Sequence, residues 1–215
     1  MNLVLKNYSL LGDCKKITLA NYGCCHRVTR YPLRVTIVNM IWLFFYNSSL
    51  KHMLSILKNK LFSLSDLLPV VQSRKGRGEK LVFTNGCFDL IHVGHLRYLE
   101  KARCMGDFLV IGLNSDESVR NLKGEGRPFV TEMERAEVLS ALVFVDYILI
   151  FSDLRPYNLI EKLKPDFHVK GGDYNKEDLP EKPLVEQYGG KVVILEHIQG
   201  KSTTFMAEEI CRKFK

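Results

Sequence analysis

Two histidines that stand three residues apart carry the strongest chemical signal in the sequence. His92 and His95 frame the run HVGH, which follows TNGCFD at residues 84–89. An imidazole with an ordinary pKa of about 6.5 can donate a hydrogen bond or carry charge near neutral pH. Gly86 and Gly94 allow a ligand to approach the backbone closely. This spacing predicts a site for one phosphate group, although the two rings could instead cap a helix or bind a metal.

The histidine run lies between a predicted strand and a predicted helix, which favours phosphate binding because such turns present free amides. Residues 80–84 predict a buried strand, and residues 94–105 predict a helix with one apolar face. Further strands are expected at 108–113, within 143–151, at 166–169 and at 192–195. Further helices are expected after Ser63 or Ser65, at 132–142, at 157–163, around 184–188 and at 203–214. This alternation predicts an α/β fold, a Rossmann-like doubly wound parallel sheet with ligands beyond the carboxyl ends of its strands.

Composition indicates one globular domain with an appendage. The chain has 215 residues, of which 46% are hydrophobic and 26% charged, so disorder is not expected. Its formal net charge is +7, but residues 1–52 hold seven basic residues and one acidic residue, and the remainder is nearly neutral. A nucleic-acid-binding face spread over the fold is therefore not expected. Six cysteines without a Cys-x-x-Cys pair predict neither disulfides nor zinc and favour the cytoplasm.

Residues 1–52 differ from residues 53–215 in lacking a regular period. Their apolar run at 35–46 is twelve residues long, whereas a membrane span needs about 20 residues. We favour the interpretation that Met53 is the natural start and that residues 1–52 are upstream sequence or a dispensable extension. An organelle-targeting leader and a short membrane-surface anchor stay open as alternatives. No membrane association is expected for residues 53–215.

The run GCFDLIHVGH, followed by RYLEKA, resembles the nucleotidyltransferase superfamily with the His-x-Gly-His motif, to which the cytidylyltransferases belong. The likeness continues in order, over about residues 54–214, through the runs NSD at 114–116, LKG at 122–124, Arg127-Pro128, Arg135 with Leu139, Val145-Asp146, VKGGDY at 169–174, Gly189-Gly190 and GKSTT at 200–204. As a set these runs resemble the adenylyltransferases for D-glycero-β-D-manno-heptose 1-phosphate, which occur alone or fused to a sugar kinase. The resemblance makes residues 53–215 one nucleotidyltransferase domain.

The resemblance implies that AMP passes from ATP to a heptose 1-phosphate, giving ADP-heptose and pyrophosphate. His92, His95 and Lys123 would be catalytic, and Lys123 and Arg127, on a mobile glycine-flanked stretch, would meet the substrate phosphate. The nucleotide would be bound by Asn85, Gly86, Cys87, Phe88, Gly94, Gly171, Asp173, Ser202, Thr203 and Thr204. Mg²⁺ is the expected metal, held mainly by phosphate oxygens. A separate sugar kinase would supply the acceptor, and related folds suggest a homodimer.

Two other functions stay open at this point. A cytidylyltransferase for glycerol phosphate or a phosphorylated amino alcohol shares the motif, but such enzymes usually carry Arg-Thr-Glu-Gly where this chain has HIQG at 197–200. A non-catalytic nucleotide-binding module is the third possibility, and the intact histidines and Lys123 argue against it. Asp89 is expected to form a turn by bonding nearby amides and not to act as an acid catalyst. Cys87 is expected to pack or contact the backbone and not to act as a nucleophile.

Overall fold

A parallel sheet with helices on both faces forms the body of the protein. The computed structural model describes residues 59–172, 179–195 and 203–214. The helices are α1 (Leu64–Gly76), α2 (Val93–Arg103), α3 (Asp116–Lys123), α4 (Glu132–Ser140), α5 (Tyr157–Leu163), α6 (Lys182–Gln187) and α7 (Thr203–Lys213). The strands are β1 (Leu81–Gly86), β2 (Phe108–Asn114), β3 (Tyr147–Phe151), β4 (Phe167–Gly171) and β5 (Lys191–Leu195).

The order of the strands creates one break in the direction of winding. The order is β3-β2-β1-β4-β5, and every neighbouring pair is parallel. The chain winds outward from β1 to β3, returns to the centre and winds the other way from β4 to β5. This confirms the predicted Rossmann-like, doubly wound sheet. The winding changes direction between β1 and β4, which is where open sheets of this type bind ligands.

Two apolar cores lie on the two faces of the sheet. On one face, α2 and α4 contribute Leu99 and Leu139. On the other face, α1, α5 and α6 contribute Leu67, Ile160 and Val185. Strand β2 is buried along its whole length, as expected for a parallel strand that is covered on both sides.

Most predicted elements agree with the structure to within a few residues, but helix α3 was not predicted. Ser115 caps it by accepting a hydrogen bond from the amide of Ser118 at 3.2 Å. Ser118 and Val119 are its buried residues, so its eight positions show no apolar period that could reveal a helix.

No helix within the described ranges has the length and apolar content needed to span a bilayer. The predictions made for residues 1–52 lie outside the described residues.

Candidate active site

A cleft of about 650 Å³ opens at the carboxyl ends of β1 and β4. Its floor consists of strand ends, namely Asn85, Gly86, Asn114, Lys170 and Gly171. One side, here called the histidine wall, comprises Cys87, Phe88, His95 and Tyr98. The other side, here called the Arg–Glu wall, comprises Leu154, Arg155 and Pro156 before α5 and Leu179, Pro180 and Glu181 before α6. Leu122 and Lys123 complete the lining. Because α2 packs on one face of the sheet and α5 and α6 on the other, the two walls belong to opposite faces.

His92 and His95 lie together at the start of α2. His92 is the N-cap, and its Nδ1 accepts a hydrogen bond from the amide of Gly94 at 3.1 Å. The two imidazole rings stack with their centroids 3.9 Å apart and their planes 29° apart. Since Nδ1 of His92 is an acceptor, the neutral ring carries its proton on Nε2, from which it can be donated to a phosphate oxygen. Capping the helix and binding phosphate are therefore compatible roles for His92.

The segment between β1 and α2 holds Phe88 in a left-handed backbone conformation, with φ at 45°. Such a conformation costs a bulky residue about 1–3 kcal/mol, and burial of the Phe88 ring offsets this. The ring covers Gly86, where an added Cβ would lie 3.1 Å from it. Its centroid is 5.4 Å from that of His95. Gly86 is thus required by packing inside the protein, a reason that differs from the predicted approach of a ligand.

Tyr98 connects the two strands at which the winding changes direction. Its hydroxyl donates to the carbonyl of Val169 in β4 at 2.9 Å and also bonds the hydroxyl of Thr84 in β1. Burial raises the pKa of Tyr98 well above its ordinary value, so the phenol stays protonated. A Cβ at Gly171 would lie 3.1 Å from the Tyr98 ring, and glycine therefore lets β4 pass close to it.

A buried guanidinium supports the histidine wall from behind. Arg135 in α4 is 1% exposed. It donates to the carbonyl oxygens of Cys87, of Asn114 at 2.9 Å and of Val130 at 3.0 Å. It also pairs with Asp116 at 2.7 Å. One side chain thus fixes the segment that follows β1, the end of β2 and the segment before α4, which makes Arg135 a positioning residue.

Asp89 joins the β1–α2 segment to the segment before α4. It accepts hydrogen bonds from Arg127 Nη1 at 2.7 Å and from the amides of Phe129 and Val130 at 2.8 and 3.2 Å. Asp89 thus bonds amides, but the prediction that these are nearby in the chain is wrong, because they lie about forty residues further along. Arg127 is engaged by this ion pair and is not among the residues that line the cleft.

Lys123 is the last residue of α3, and it lines the cleft. Gly124 follows it as the C-cap with φ at 96°, a conformation that favours glycine. The prediction placed Lys123 and Arg127 together on one mobile stretch, and this placement is wrong. Lys123 belongs to a helix, and Arg127 belongs to a segment that Asp89 anchors.

Lys170 lies on the cleft floor between two acceptors. Its Nζ donates to Asn85 Oδ1 at 2.8 Å and lies 3.4 Å from Glu181 Oε1. The side chains of Lys170 and Glu181 are 15% and 7% exposed. Burial lowers the pKa of Lys170, the carboxylate of Glu181 opposes this shift, and the nearby charge of Arg155 adds to it.

Cys87 lines the cleft as a thiol. Burial raises its pKa, and the charges of Lys123 and Arg135 oppose that shift only in part. A thiolate is the nucleophilic form of cysteine, so a thiol with a raised pKa is not activated for attack.

The structure brings most, but not all, of the predicted site residues together. Those that line the cleft are Asn85, Gly86, Cys87, Phe88, His95, Lys123 and Gly171. His92 and Gly94 adjoin His95 at the start of α2. Thr203 begins α7 and donates to the carbonyl of Leu90 at 3.3 Å, and exposed Thr204 follows it. Asp173 and Ser202 lie outside the described residues.

Part of the cleft lining was not predicted from the sequence. Tyr98, Asn114 and Lys170 stand inside runs that carried the family resemblance, and that position was the available signal. Arg155 and Glu181 precede the short helices α5 and α6 and belong to none of those runs. The order of the strands brings them to the cleft.

Known proteins resemble this chain in sequence. The family model described as cytidylyltransferase-like matches residues 83–214, which is more than half of the chain. Relatives called bifunctional protein HldE are 52% identical over 155 residues in Geobacter metallireducens and 54% identical over 151 residues in Geotalea uraniireducens. These alignments cover 72% and 70% of this chain, and 32% and 31% of the relatives. The chain therefore spans about a third of the length of the curated relatives it matches.

A solved structure, the lipopolysaccharide core biosynthesis protein from Thermoplasma volcanium, is 27% identical with a TM-score of 0.48, and the match covers 56% of this chain and 98% of that chain.

The family match and the HldE relatives confirm the resemblance found in the sequence. The chain belongs to the cytidylyltransferase-like family of nucleotidyltransferases.

Proposed function

We propose that this protein transfers AMP from ATP to a sugar 1-phosphate, D-glycero-β-D-manno-heptose 1-phosphate, and so forms ADP-heptose and pyrophosphate. The observation that carries the proposal is the cleft between β1 and β4, with a stacked histidine pair at the edge of one wall and cations on its floor and rim. The runs LKG and VKGGDY, which resemble the heptose adenylyltransferases, support ATP and heptose as the substrates.

The reaction needs two substrates held in line. An oxygen of the acceptor phosphate attacks the α-phosphorus of ATP, a new P–O bond forms, and the bond to the β-phosphate oxygen breaks with its electron pair on pyrophosphate. Because the acceptor supplies the nucleophile, the protein has to position the substrates and stabilise charge. The protonated thiol of Cys87 agrees with a mechanism that uses no nucleophilic side chain.

The histidine wall would hold the triphosphate. His92 and His95 would donate hydrogen bonds near the reacting phosphorus, and Lys123 would neutralise the charge that develops there. For Arg127, the ion pair with Asp89 supports a role in fixing the adjoining segments more than direct contact with the substrate phosphate.

The remaining nucleotide contacts would come from three parts of the chain. These are Asn85, Gly86, Cys87, Phe88 and Gly94 around the phosphates, Gly171 and Asp173 beside the base, and Ser202, Thr203 and Thr204 at the start of α7. The hydrogen bond from Thr203 to the Leu90 carbonyl supports this grouping, because it connects α7 to the β1–α2 segment.

Mg²⁺ would arrive with ATP and would supply charge neutralisation at the phosphates. Among the residues that the structure describes, no three His, Cys, Asp or Glu side chains are grouped to hold a metal ion. The cleft carboxylate of Glu181 is engaged with Lys170. This donor set fits a Mg²⁺ ion held mainly by phosphate oxygens and water.

We further propose a setting for the reaction. Residues 53–215 would form the catalytic domain and residues 1–52 an extension, and a separate sugar kinase would make the acceptor. The described cysteines Cys87, Cys104 and Cys211 are free thiols, which supports a cytoplasmic location. We propose a homodimer by analogy with related folds.

Pyrophosphate release, measured with ATP and with CTP across sugar and polyol phosphates, tests the proposal. We expect turnover with ATP and heptose 1-phosphate and a product with the mass of ADP-heptose. A preference for CTP with glycerol phosphate would contradict the adenylyl assignment. Nucleotide binding without turnover of any acceptor would favour a non-catalytic module.

A further inference from the structure

The Arg–Glu wall takes no part in the triphosphate site proposed above, yet it carries buried charge. Lys170 and Glu181 form an ion pair of 3.4 Å whose members are both largely removed from solvent. Desolvation of such a pair costs free energy that its attraction recovers only in part, so a buried pair contributes little net stability. Both residues nevertheless line an open cleft. Their position is better explained by a ligand than by the stability of the fold.

We infer that the Arg–Glu wall, together with Lys170 on the adjoining floor, is the subsite for the acceptor, in which Glu181 and Lys170 bind hydroxyl groups of the sugar and Arg155 binds its phosphate. This inference rests on the proposed transfer to a sugar phosphate and adds specificity-determining residues to it.

The topology of the sheet supports this division of the cleft. In an in-line displacement the attacking and leaving oxygens lie on opposite sides of the phosphorus. With the triphosphate on the histidine wall, the acceptor must reach the α-phosphorus from another direction. The Arg–Glu wall belongs to the opposite face of the sheet and shares the cleft floor with the histidine wall.

The chemistry of the buried pair suits hydroxyl groups. A hydroxyl both donates and accepts, so it can bond a carboxylate and an ammonium group at the same time. Asn85 and Glu181 engage two of the three donors of Lys170, and no further side-chain acceptor bonds the third among residues 59–172, 179–195 and 203–214. Lys170 is also held in place, because it is the penultimate residue of β4 and bonds Asn85, the penultimate residue of β1.

Arg155 places a further cation beside this pair. Its side chain is exposed, and its charge is close enough to lower the pKa of Lys170. A planar guanidinium matches the oxygens of a phosphate group, which makes arginine suited to an anionic acceptor. Lys123 lines the same cleft and would help Arg155 to neutralise the charge of the acceptor phosphate.

Glu181→Gln keeps the shape of the side chain and removes its charge. We expect the KM for heptose 1-phosphate to rise roughly 10- to 100-fold, as for loss of a hydrogen bond to a charged group, while the Kd for ATP changes less than about twofold. Glu186→Gln, on the exposed side of the helix α6 that follows Glu181, is the matched control and should leave both constants unchanged. A raised Kd for ATP with an unchanged acceptor KM, or no change in either constant, would overturn the inference.

A second ligand separates hydroxyl binding from phosphate binding. Methyl phosphate carries the phosphate without sugar hydroxyls and should act as a weak competitive inhibitor. We expect Glu181→Gln to leave its inhibition constant unchanged, and Arg155→Gln to weaken both methyl phosphate and heptose 1-phosphate about tenfold. Equal effects of both variants on both ligands would contradict separate roles. Arg155 is exposed, so this variant keeps the test valid if Glu181→Gln fails to fold.

Calorimetric binding of heptose 1-phosphate distinguishes this inference from the proposed function. If wild-type protein forms no nucleotide sugar, the proposed function fails whatever the variants do. If wild-type protein turns over and Glu181→Gln binds heptose 1-phosphate as tightly as wild type, the inference fails and the proposed function stands.

Discussion

The two walls of the cleft are built in different ways. The histidine wall comes from one continuous segment, residues 87–98, which follows β1 and is fixed from outside by Arg135, which bonds Cys87, and by Arg127, which pairs with Asp89. The Arg–Glu wall is assembled from two segments that precede α5 and α6 and are more than twenty residues apart in the sequence. A continuous segment displays its chemistry as a motif with fixed spacing, whereas an assembled wall does not. The first wall therefore identifies the family, and we propose that the second selects the acceptor.

Removing the support behind the histidine wall should have the largest effect on stability. We expect Arg135→Met to lower the free energy of unfolding by about 3–5 kcal/mol, because Asp116 and three carbonyl groups lose a buried partner. Denaturant unfolding measures this loss, with Arg120→Met on the exposed face of α3 as the control. A loss below about 1 kcal/mol would show that the wall is held by other contacts.

Within the histidine wall, His95→Ala should reduce kcat/KM by about 100- to 1,000-fold, or roughly 3–4 kcal/mol, because one donor to the developing charge is lost. Thermal unfolding should change little, since His95 is only half-buried. Pyrophosphate release measures the effect, and Glu100→Ala on the exposed side of α2 is the control. Full activity of His95→Ala would remove the basis for the histidine wall as the triphosphate site.

The side of the sheet beneath the Arg–Glu wall should respond to acid. His168 in β4 is fully buried against Phe83, and burial, with a smaller effect of Lys170, lowers its pKa to about 3. Below the ordinary pKa of about 6.5 the unfolded chain binds a proton that the folded chain excludes, so stability falls by about 1.4 kcal/mol per pH unit down to about pH 3.

His168→Phe keeps the ring and removes this titration. Between pH 7 and pH 5 wild type should lose about 2 kcal/mol more than the variant, as measured by urea unfolding at each pH. Parallel pH profiles for the two proteins would show that His168 does not titrate differently in the folded state.

The smallest effect is expected where the histidine wall meets the floor. Gly171→Ala places a Cβ 3.1 Å from the Tyr98 ring and should destabilise the fold by about 1 kcal/mol. Gly126→Ala is the matched control, because nothing lies within 4 Å of its added Cβ. Thermal unfolding compares the two variants. Equal unfolding midpoints would mean that the Tyr98 ring moves aside without destabilising the fold.

The difference between the two walls also explains which features could be predicted from the sequence. The alternation of predicted strands and helices along the chain predicted the parallel sheet. The apolar periods within those elements predicted most of their boundaries, since boundaries depend on local periodicity. The histidine pair was predicted because its chemistry lies within four consecutive residues. Glu181 was not, because a lone glutamate before a short helix has no distinguishing pattern until the strand order brings it to Lys170.

The ion pair of Arg127 with Asp89 is a second feature that was not predicted. The position of Arg127 after a glycine-rich run suggested contact with substrate, but the sequence offered no sign that Asp89 would engage it from about forty residues away. Helix α3 was not predicted either. Two of its eight residues are buried, so it shows no apolar period, and Ser115 at its N-cap was the main local signal.

A crystal structure with ADP-heptose bound tests the division of the cleft most directly. We expect the phosphate from ATP to lie within hydrogen-bond distance of His95 or His92, and a sugar hydroxyl to lie within hydrogen-bond distance of Glu181. Adenine in contact with Glu181, or the sugar resting against His95, would contradict this division of the cleft.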